Sequence, residues 1–305
     1  MKISIEFPSV SYREGPAGVM KLARAIETIG YDQIDMFDHV VMGFPTDTRA
    51  APIYPPQMPI LEALVVLSYI AAVTTRIGLG TEVLVLPQRQ PTLVAKQVST
   101  LDTLSGGRMR LGVGVGWQAS EYEALGEDFH NRGKRMDEAI LFLRHWFSES
   151  KVDFNGEYYQ AVAMAMEPKS PQGAKLPIWV GGGTPAALKR VGELADGWLG
   201  TASLNESSTH RAIEAIHRAA EAAGRDPAAI GLQQMLDRPP TDDAGRQFYK
   251  NDDHVLRRIA EVKSQGFQWG SLNATAMFQA GYRSVDALIE KLDSMHTRIR
   301  AEFGK

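Results

Sequence analysis

The feature that most constrains this chain is the alternation of short β-prone runs with longer runs of helical periodicity. Eight runs predict strands: Lys2–Phe7, Asp32–Phe37, Ile77–Val83, Met109–Val115, Ile178–Val180, Gly197–Leu199, Ile230–Met235 and Trp269–Ala274. Between them, apolar residues recur at helical spacing. Such faces are Val19, Leu22, Ala23, Ile26 and Ile29; Met136, Ala139, Ile140, Leu143 and Phe147; and Val285, Leu288, Ile289, Leu292 and Ile299. This alternation predicts a parallel sheet covered by helices.

Eight strand–helix repeats favour closure of the sheet into a (β/α)8 TIM barrel. The run IGLGTEVLVL is apolar on both faces, as buried parallel strands are. A doubly wound open sheet is the alternative, but such sheets usually carry a nucleotide fingerprint early in the chain. Gly112–Gly116 reads GVGVG, and Trp117 stands where GxGxxG has its third glycine. We therefore predict an α/β barrel with inserted loops, as a single domain over residues 1–305.

Composition excludes several classes of function. A formal net charge of -3 provides no basic footprint for nucleic acid. The absence of cysteine excludes disulfides, thiol nucleophiles and iron–sulfur clusters, and the seven histidines show no metal-binding spacing. The N-terminus lacks the apolar core of a signal peptide, and the most apolar stretch, Ile60–Val73, is too short to span a bilayer. We expect a cytoplasmic protein that acts on a small molecule, without a metal, nucleic-acid or membrane partner.

Three long connections interrupt the pattern. Val40–Pro59 and Leu236–Asn251 follow strands, so they belong to the C-terminal face of a barrel, where active sites form. We interpret both as lids. Glu149–Pro177 precedes a strand and contains Phe154–Gln160, which resembles a hairpin.

Asp38 and His39 stand just past the end of the second strand. Taken alone, such a pair is more often a hydrogen-bonded loop histidine than a catalytic group. A position at the C-terminal end of a barrel strand favours catalysis, and histidine is suited to proton transfer near neutral pH. We therefore predict His39 as a catalytic residue, with Asp38 as a weaker candidate.

Two glycine clusters also end strands. Gly112, Gly114 and Gly116 would let a ligand approach the backbone, or would serve only tight packing. Gly181–Gly183 precede Thr184, a candidate helix cap, and Pro185, which suits the first helical position. Exposed amides there attract an anion such as a cofactor phosphate, although a plain tight turn would look the same. Met42, Phe44, Tyr54 and Trp117 would either wall an apolar pocket or belong to the core.

These residues together resemble the luciferase-like monooxygenase family, and most closely its branch that uses the deazaflavin coenzyme F420. The segments that carry the resemblance are Gly30–Val40, Thr75–Trp117, Glu121–Ile140, Pro177–Leu188 and Glu193–Gly200. The match is dense to about residue 200 and weaker in the final third.

The resemblance implies a barrel with a cofactor at its C-terminal face and His39 near the reactive ring. It implies a bulge at Glu82–Val83, often with a non-prolyl cis peptide, behind the ring. It also implies that Gly112, Gly114, Gly116 and Trp117 line the ring or its side chain, that Gly181, Gly182, Gly183 and Thr184 hold the phosphate, and that the protein forms a homodimer.

One departure concerns the substrate. Where the sugar-phosphate dehydrogenases of this branch carry a glutamate after the strand-four glycines, this chain has Trp117. Sugar-phosphate oxidation is therefore doubtful, and a second proton donor has to come from elsewhere.

The resemblance leaves three functions open. The first is hydride transfer with coenzyme F420. It is favoured because the sequences DHV and VGVGW look like those of the F420 branch. The second is an FMN-dependent monooxygenase that uses oxygen. The third is a non-catalytic flavin-binding barrel, because a fold does not fix a function.

Overall fold

The computed structural model describes residues 1–201, 206–237 and 247–304. Its strands are β1 (Lys2–Glu6), β2 (Gln33–Met36), β3 (Gly78–Thr81), β4 (Leu84–Val85), β5 (Met109–Gly114), β6 (Val152–Asn155), β7 (Gln160–Met164), β8 (Ile178–Gly181), β9 (Gly197–Gly200), β10 (Gly231–Met235) and β11 (Trp269–Asn273). Eight of them pair in parallel in the order β1-β2-β3-β5-β8-β9-β10-β11, and β11 pairs with β1 to close the barrel. The predicted (β/α)8 barrel is confirmed, and each of the eight predicted strands is present.

Helices surround the barrel. They are α1 (Gly15–Ile29), α2 (Ala63–Ala71), α3 (Pro91–Ser105), α4 (Ala119–Ala124), α5 (Arg132–Ser148), α6 (Pro185–Leu194), α7 (Glu206–Ala222), α8 (Asp252–Ser264), α9 (Ala274–Gln279) and α10 (Val285–Phe303). The predicted apolar faces pack inward, with Leu22, Leu143 and Leu292 fully buried. Across the described ranges, no helix has the length and apolar character needed to cross a membrane.

Two of the predicted long connections have defined structure. The segment before β8 contains the antiparallel pair β6–β7, so the predicted hairpin is confirmed. The segment after β2 contributes Tyr54 to the C-terminal mouth of the barrel, as expected of a lid. Most of the third, Leu236–Asn251, lies outside the described residues.

The barrel interior holds an ionic layer built around Arg110 of β5. Its Nη2 donates hydrogen bonds to Asp35 Oδ2 on β2 at 3.1 Å and to Gln233 Oε1 on β10 at 2.8 Å. The guanidinium also lies 4.4 Å from the ring centroid of Trp179 and 4.9 Å from that of Trp269. A desolvated cation over two aromatic faces gains cation–π stabilisation in addition to its ion pair.

The Trp179 ring takes its place because two neighbouring strands carry glycine. A Cβ atom at Gly197 would come within 2.3 Å of the ring, and one at Gly231 within 2.4 Å. Both distances are far below van der Waals contact, so only glycine lets β9 and β10 close around the indole.

Arg110→Leu should lower the free energy of unfolding by about 3–5 kcal/mol, because it leaves the buried Asp35 carboxylate without its cation. Urea unfolding measures this change. The matched control is Lys21→Leu, which breaks an ion pair with Asp286 between two exposed side chains and should change stability by less than about 1 kcal/mol. Similar losses in the two variants would contradict the special role of Arg110.

Candidate active site

A cavity of about 320 Å³ opens at the C-terminal mouth of the barrel. Strand ends supply most of its wall, and the loop after β2 covers one side with Tyr54. The predicted site residues that line it are Asp38, His39, Glu82, Val83, Gly114, Gly116, Trp117, Gly181 and Gly182. Residues that the sequence did not single out complete it: Phe37, Val85, Val115, Leu199, Gly200, Thr201 and Met235. The cavity falls within the usual range of small-molecule sites and is mainly apolar.

His39 is buried in this wall and is oriented by a carboxylate. Its Nδ1 lies 3.0 Å from Oε2 of Glu121, which is fully buried at the start of α4. Oε1 of Glu121 also accepts hydrogen bonds from the amides of Val40 at 2.5 Å and Val41 at 3.4 Å. Glu121 therefore fixes both the His39 ring and the backbone that carries it.

Glu121 remains ionised although it is buried. Burial raises the pKa of its carboxyl, but the neighbouring His39 and Gln88 side chains and the Val40 amide together outweigh burial, so the pKa lies below the ordinary value. An ionised Glu121 accepts a hydrogen bond from Nδ1–H, which leaves Nε2 as the free nitrogen of a neutral His39 ring. The pair therefore has the arrangement of a base and the group that orients it.

Asp38 is engaged on both oxygens. Oδ1 pairs with Arg89 Nη2 at 2.8 Å, and Oδ2 accepts from the Val85 amide at 3.0 Å. Burial raises the pKa of Asp38, and the neighbouring Arg89 opposes that rise. The same Arg89 binds Glu62 at 2.9 Å. These contacts favour a role for Asp38 in holding the strand ends together over the proton transfer expected of it.

A cis peptide joins Glu82 to Val83 between β3 and β4, at the position where the family resemblance implies a bulge. The Val83 side chain enters a space that two predicted glycines leave open. A Cβ atom at Gly114 would lie 2.5 Å from Val83 Cγ2, and one at Gly181 would lie 2.8 Å from Cγ1. Gly114 and Gly181 thus make room for Val83, which in turn presents an apolar surface to the cavity.

The other two glycines of the first cluster differ in position. Gly116 lines the cavity with φ +66°, and a Cβ there would come within 2.7 Å of Val85 Cγ1. Gly112 lies deeper and does not line the cavity. Its position requires glycine because a Cβ would come within 1.9 Å of the Thr81 carbonyl oxygen. Strand packing, rather than the expected ligand approach, therefore explains Gly112.

The second glycine cluster leads into α6 as predicted. Thr184 Oγ1 caps the helix by accepting from the Ala187 amide at 3.3 Å, and Pro185 stands at the first turn. Gly182 has φ +118°, and its carbonyl accepts a hydrogen bond from Trp198 Nε1 at 2.7 Å. Gly183 and Thr184 are exposed beside the cavity rather than among its lining residues.

Aromatic rings surround His39 at the entrance. Its ring centroid lies 5.9 Å from that of Tyr54 and 5.3 Å from that of Trp117, both in edge contact. Two other predicted wall residues are elsewhere: Phe44 is exposed and Met42 is half-buried, and neither lines the cavity. Within the described ranges, no group of three or more histidine, aspartate or glutamate side chains is placed to hold a metal ion.

Gly114→Ala should lower the free energy of unfolding by about 1–3 kcal/mol, because the added methyl group overpacks the space of Val83. Val83→Ala in the same chain removes the opposing methyl groups and should restore most of the loss. Urea unfolding of the single and double variants measures the coupling. Gly133→Ala in α5, where a Cβ meets only Arg190 Nη2 at 3.6 Å, is the control and should not destabilise. Additive losses at Gly114 and Val83 would contradict the packing argument.

Comparisons with known proteins agree with this fold. The luciferase-like monooxygenase model matches residues 2–268. An uncharacterized protein of Mycobacterium tuberculosis is 36% identical over 212 residues, which are 67% of this chain and 72% of that protein. The F420-dependent glucose-6-phosphate dehydrogenase of Mycolicibacterium gilvum is 28% identical over 232 residues, 74% of this chain and 66% of that enzyme.

A solved structure of similar fold is the coenzyme F420-dependent tetrahydromethanopterin reductase of Methanopyrus kandleri. It superposes with a TM-score of 0.73 at 18% identity and covers 96% of this chain and 97% of the reductase. At this identity the likeness establishes the fold alone. The match of the family model over most of the chain establishes more: this protein belongs to the luciferase-like monooxygenase family.

Proposed function

We propose that this protein transfers a hydride between coenzyme F420 and a small organic substrate. The observation that carries the proposal is the mainly apolar cavity of about 320 Å³ with the His39–Glu121 pair in its wall. The names of two of the similar proteins support the cofactor, since both are F420-dependent oxidoreductases.

The cavity residues fit a deazaflavin ring. Val83 supplies an apolar surface, and Gly116, Gly181 and Gly182 present backbone without side chains in the same cavity. The exposed start of α6, at Gly183 and Thr184, would receive the phosphate of the cofactor, because the first amides of a helix have no partner within it. When bound, the deazaflavin supplies the carbon that accepts or donates the hydride.

His39 moves the proton that accompanies this hydride. With Nδ1–H held by Glu121, a neutral His39 accepts the hydroxyl proton of a substrate that is being oxidised, and it returns a proton in the reverse direction. The ionised Glu121 stabilises the imidazolium that forms. Tyr54 and Trp117 restrict the access of water at the entrance, which strengthens these electrostatic contacts.

The described side chains of the cavity do not favour a sugar phosphate as substrate. Trp117, which is partly exposed, takes the position at which the sugar-phosphate dehydrogenases of the resemblance carry a glutamate. An aromatic side chain here favours a less polar organic molecule.

An FMN-dependent monooxygenase is the second candidate, because the family model is described by that activity. A deazaflavin has carbon at position 5 and does not readily form the oxygen adduct that monooxygenation requires, so the cofactor decides the reaction class. A non-catalytic barrel is less consistent with a buried histidine that a carboxylate orients toward a cavity.

We expect the purified protein to bind coenzyme F420 more tightly than FMN when the two are titrated side by side and binding is followed by fluorescence. Preference for FMN would replace the proposal with the oxygen-using monooxygenase. Binding of neither cofactor would support the non-catalytic barrel.

His39→Ala should lower the rate of hydride transfer by about 10²–10⁴-fold while the affinity for the coenzyme changes much less. Single-turnover absorbance changes of the coenzyme give the rate, and fluorescence titration gives the affinity. His130→Ala, an exposed histidine outside the cavity, is the control and should alter neither. Equal losses of rate and affinity would make His39 a binding residue instead.

Gly182→Val should weaken coenzyme binding, because a side chain at this cavity position also meets the Ala187 Cβ at 3.1 Å. Gly106→Val is the matched control: Gly106 also has positive φ, at +72°, but ends α3 away from the cavity. If the two variants bind the coenzyme equally well, Gly182 does not belong to the cofactor site.

A further inference from the structure

A second carboxyl group, that of Glu82, lies in the cavity apart from the His39–Glu121 pair. Glu82 precedes the cis bond, lines the cavity and is 8% exposed. Its Oε2 accepts a hydrogen bond from Ser271 Oγ on β11 at 2.7 Å. The Gln233 side chain also interacts with this carboxyl, and no described cation forms an ion pair with Glu82.

The charged groups around Glu82 are mostly acidic. Asp35 faces it from β2, Glu6 from the end of β1, and Arg110 from β5. Arg110 is the nearby cation, but it already pairs with Asp35 at 3.1 Å. Asp237, after β10, adds a further buried carboxyl near Glu6. Several buried carboxyls thus lie near a single guanidinium. One positive charge does not stabilise the ionised form of all of them, so some of these carboxyls are neutral.

The protonation state of Glu82 follows from these surroundings. Burial, together with the charge of Asp35, raises the pKa of Glu82 to about 8. Burial also raises the pKa of Glu6 well above its ordinary value and that of Asp237 to about 7. At neutral pH Glu82 is therefore mainly a neutral acid. Because Ser271 donates to Oε2, the acidic proton belongs on Oε1.

We propose that Glu82 belongs to the coenzyme-binding surface of this cavity, where its neutral carboxyl donates a hydrogen bond to the bound coenzyme. The inference rests on the proposed function for the identity of the bound molecule.

Glu82 and Glu121 show how one residue type serves two roles. Hydrogen bonds from His39 and the Val40 amide favour the ionised form of Glu121, whereas burial among other carboxyls favours the neutral form of Glu82. Surroundings that move the two pKa values in opposite directions let Glu121 accept the hydrogen bond that orients His39 and let Glu82 donate one into the cavity.

The test measures the affinity for coenzyme F420 as a function of pH in the wild type and in Glu82→Gln. The folded pKa of Glu82 is raised, so its neutral, hydrogen-bond-donating form is present below about pH 8 and is lost above it. The wild-type affinity should fall as pH rises through that value, by up to about tenfold per pH unit. Glu82→Gln keeps a donor that does not ionise, so its affinity should not fall with the Glu82 titration. The comparison also cancels any ionisation of the coenzyme itself.

Glu6→Gln is the matched control, because Glu6 is equally buried and also has a raised pKa but does not line the cavity. Its affinity should decline with pH as in the wild type. The proposal is overturned if Glu82→Gln shows the wild-type decline or if the wild type shows none.

Infrared spectroscopy of the ligand-free protein separates failure of this inference from failure of the proposed function. The wild type minus Glu82→Gln difference should show a protonated carboxyl band below pH 8 that disappears above it. If coenzyme F420 does not bind at any pH, the proposed function is wrong, and the same pH series is repeated with FMN. Absence of the band below pH 8 would overturn the role of Glu82 whichever cofactor binds.

Discussion

The contact on which the site depends is the ion pair between Arg110 and Asp35 inside the barrel. Arg110 joins β5 to β2 through Asp35 and to β10 through Gln233, and its guanidinium lies against the tryptophans of β8 and β11. Arg110 thus connects its own strand, β5, to four other strands of the eight-stranded barrel. Because the strands are fixed at this layer, their C-terminal ends hold the cavity residues at defined distances.

The same layer sets the electrostatics of the cavity. One guanidinium that is already paired with Asp35 leaves little positive charge for Glu6, Glu82 and Asp237. Burial without a cation favours the neutral form of a carboxyl, and burial is the main cause that raises the pKa of all three side chains. A mainly apolar cavity with a neutral acid in its wall accepts an uncharged ring more readily than a cluster of carboxylates would.

The barrel was predictable from the sequence because its strands and helices leave local patterns. Buried parallel strands are continuous apolar runs, and helices such as α1 show one apolar face. The same pattern predicted that His39 lies at the mouth of the barrel, since this residue stands just past the end of a strand. Glu121 was not predictable, because it meets His39 across 82 positions and only the closure of the barrel brings the two together. The segment at Leu236–Asn251 had no recognisable pattern.

The glycines illustrate a second limit of sequence interpretation. A glycine at a strand end indicates that something approaches the backbone closely, but the sequence does not identify what approaches. At Gly112 it is the Thr81 carbonyl, and at Gly114 and Gly181 it is the Val83 side chain. Two glycines of the cavity, Gly114 and Gly181, therefore act by making room for Val83, whereas Gly116 faces Val85 and Gly182 faces Ala187. Part of a family motif that is recognised by its glycines is, in this protein, the requirement for packing one valine.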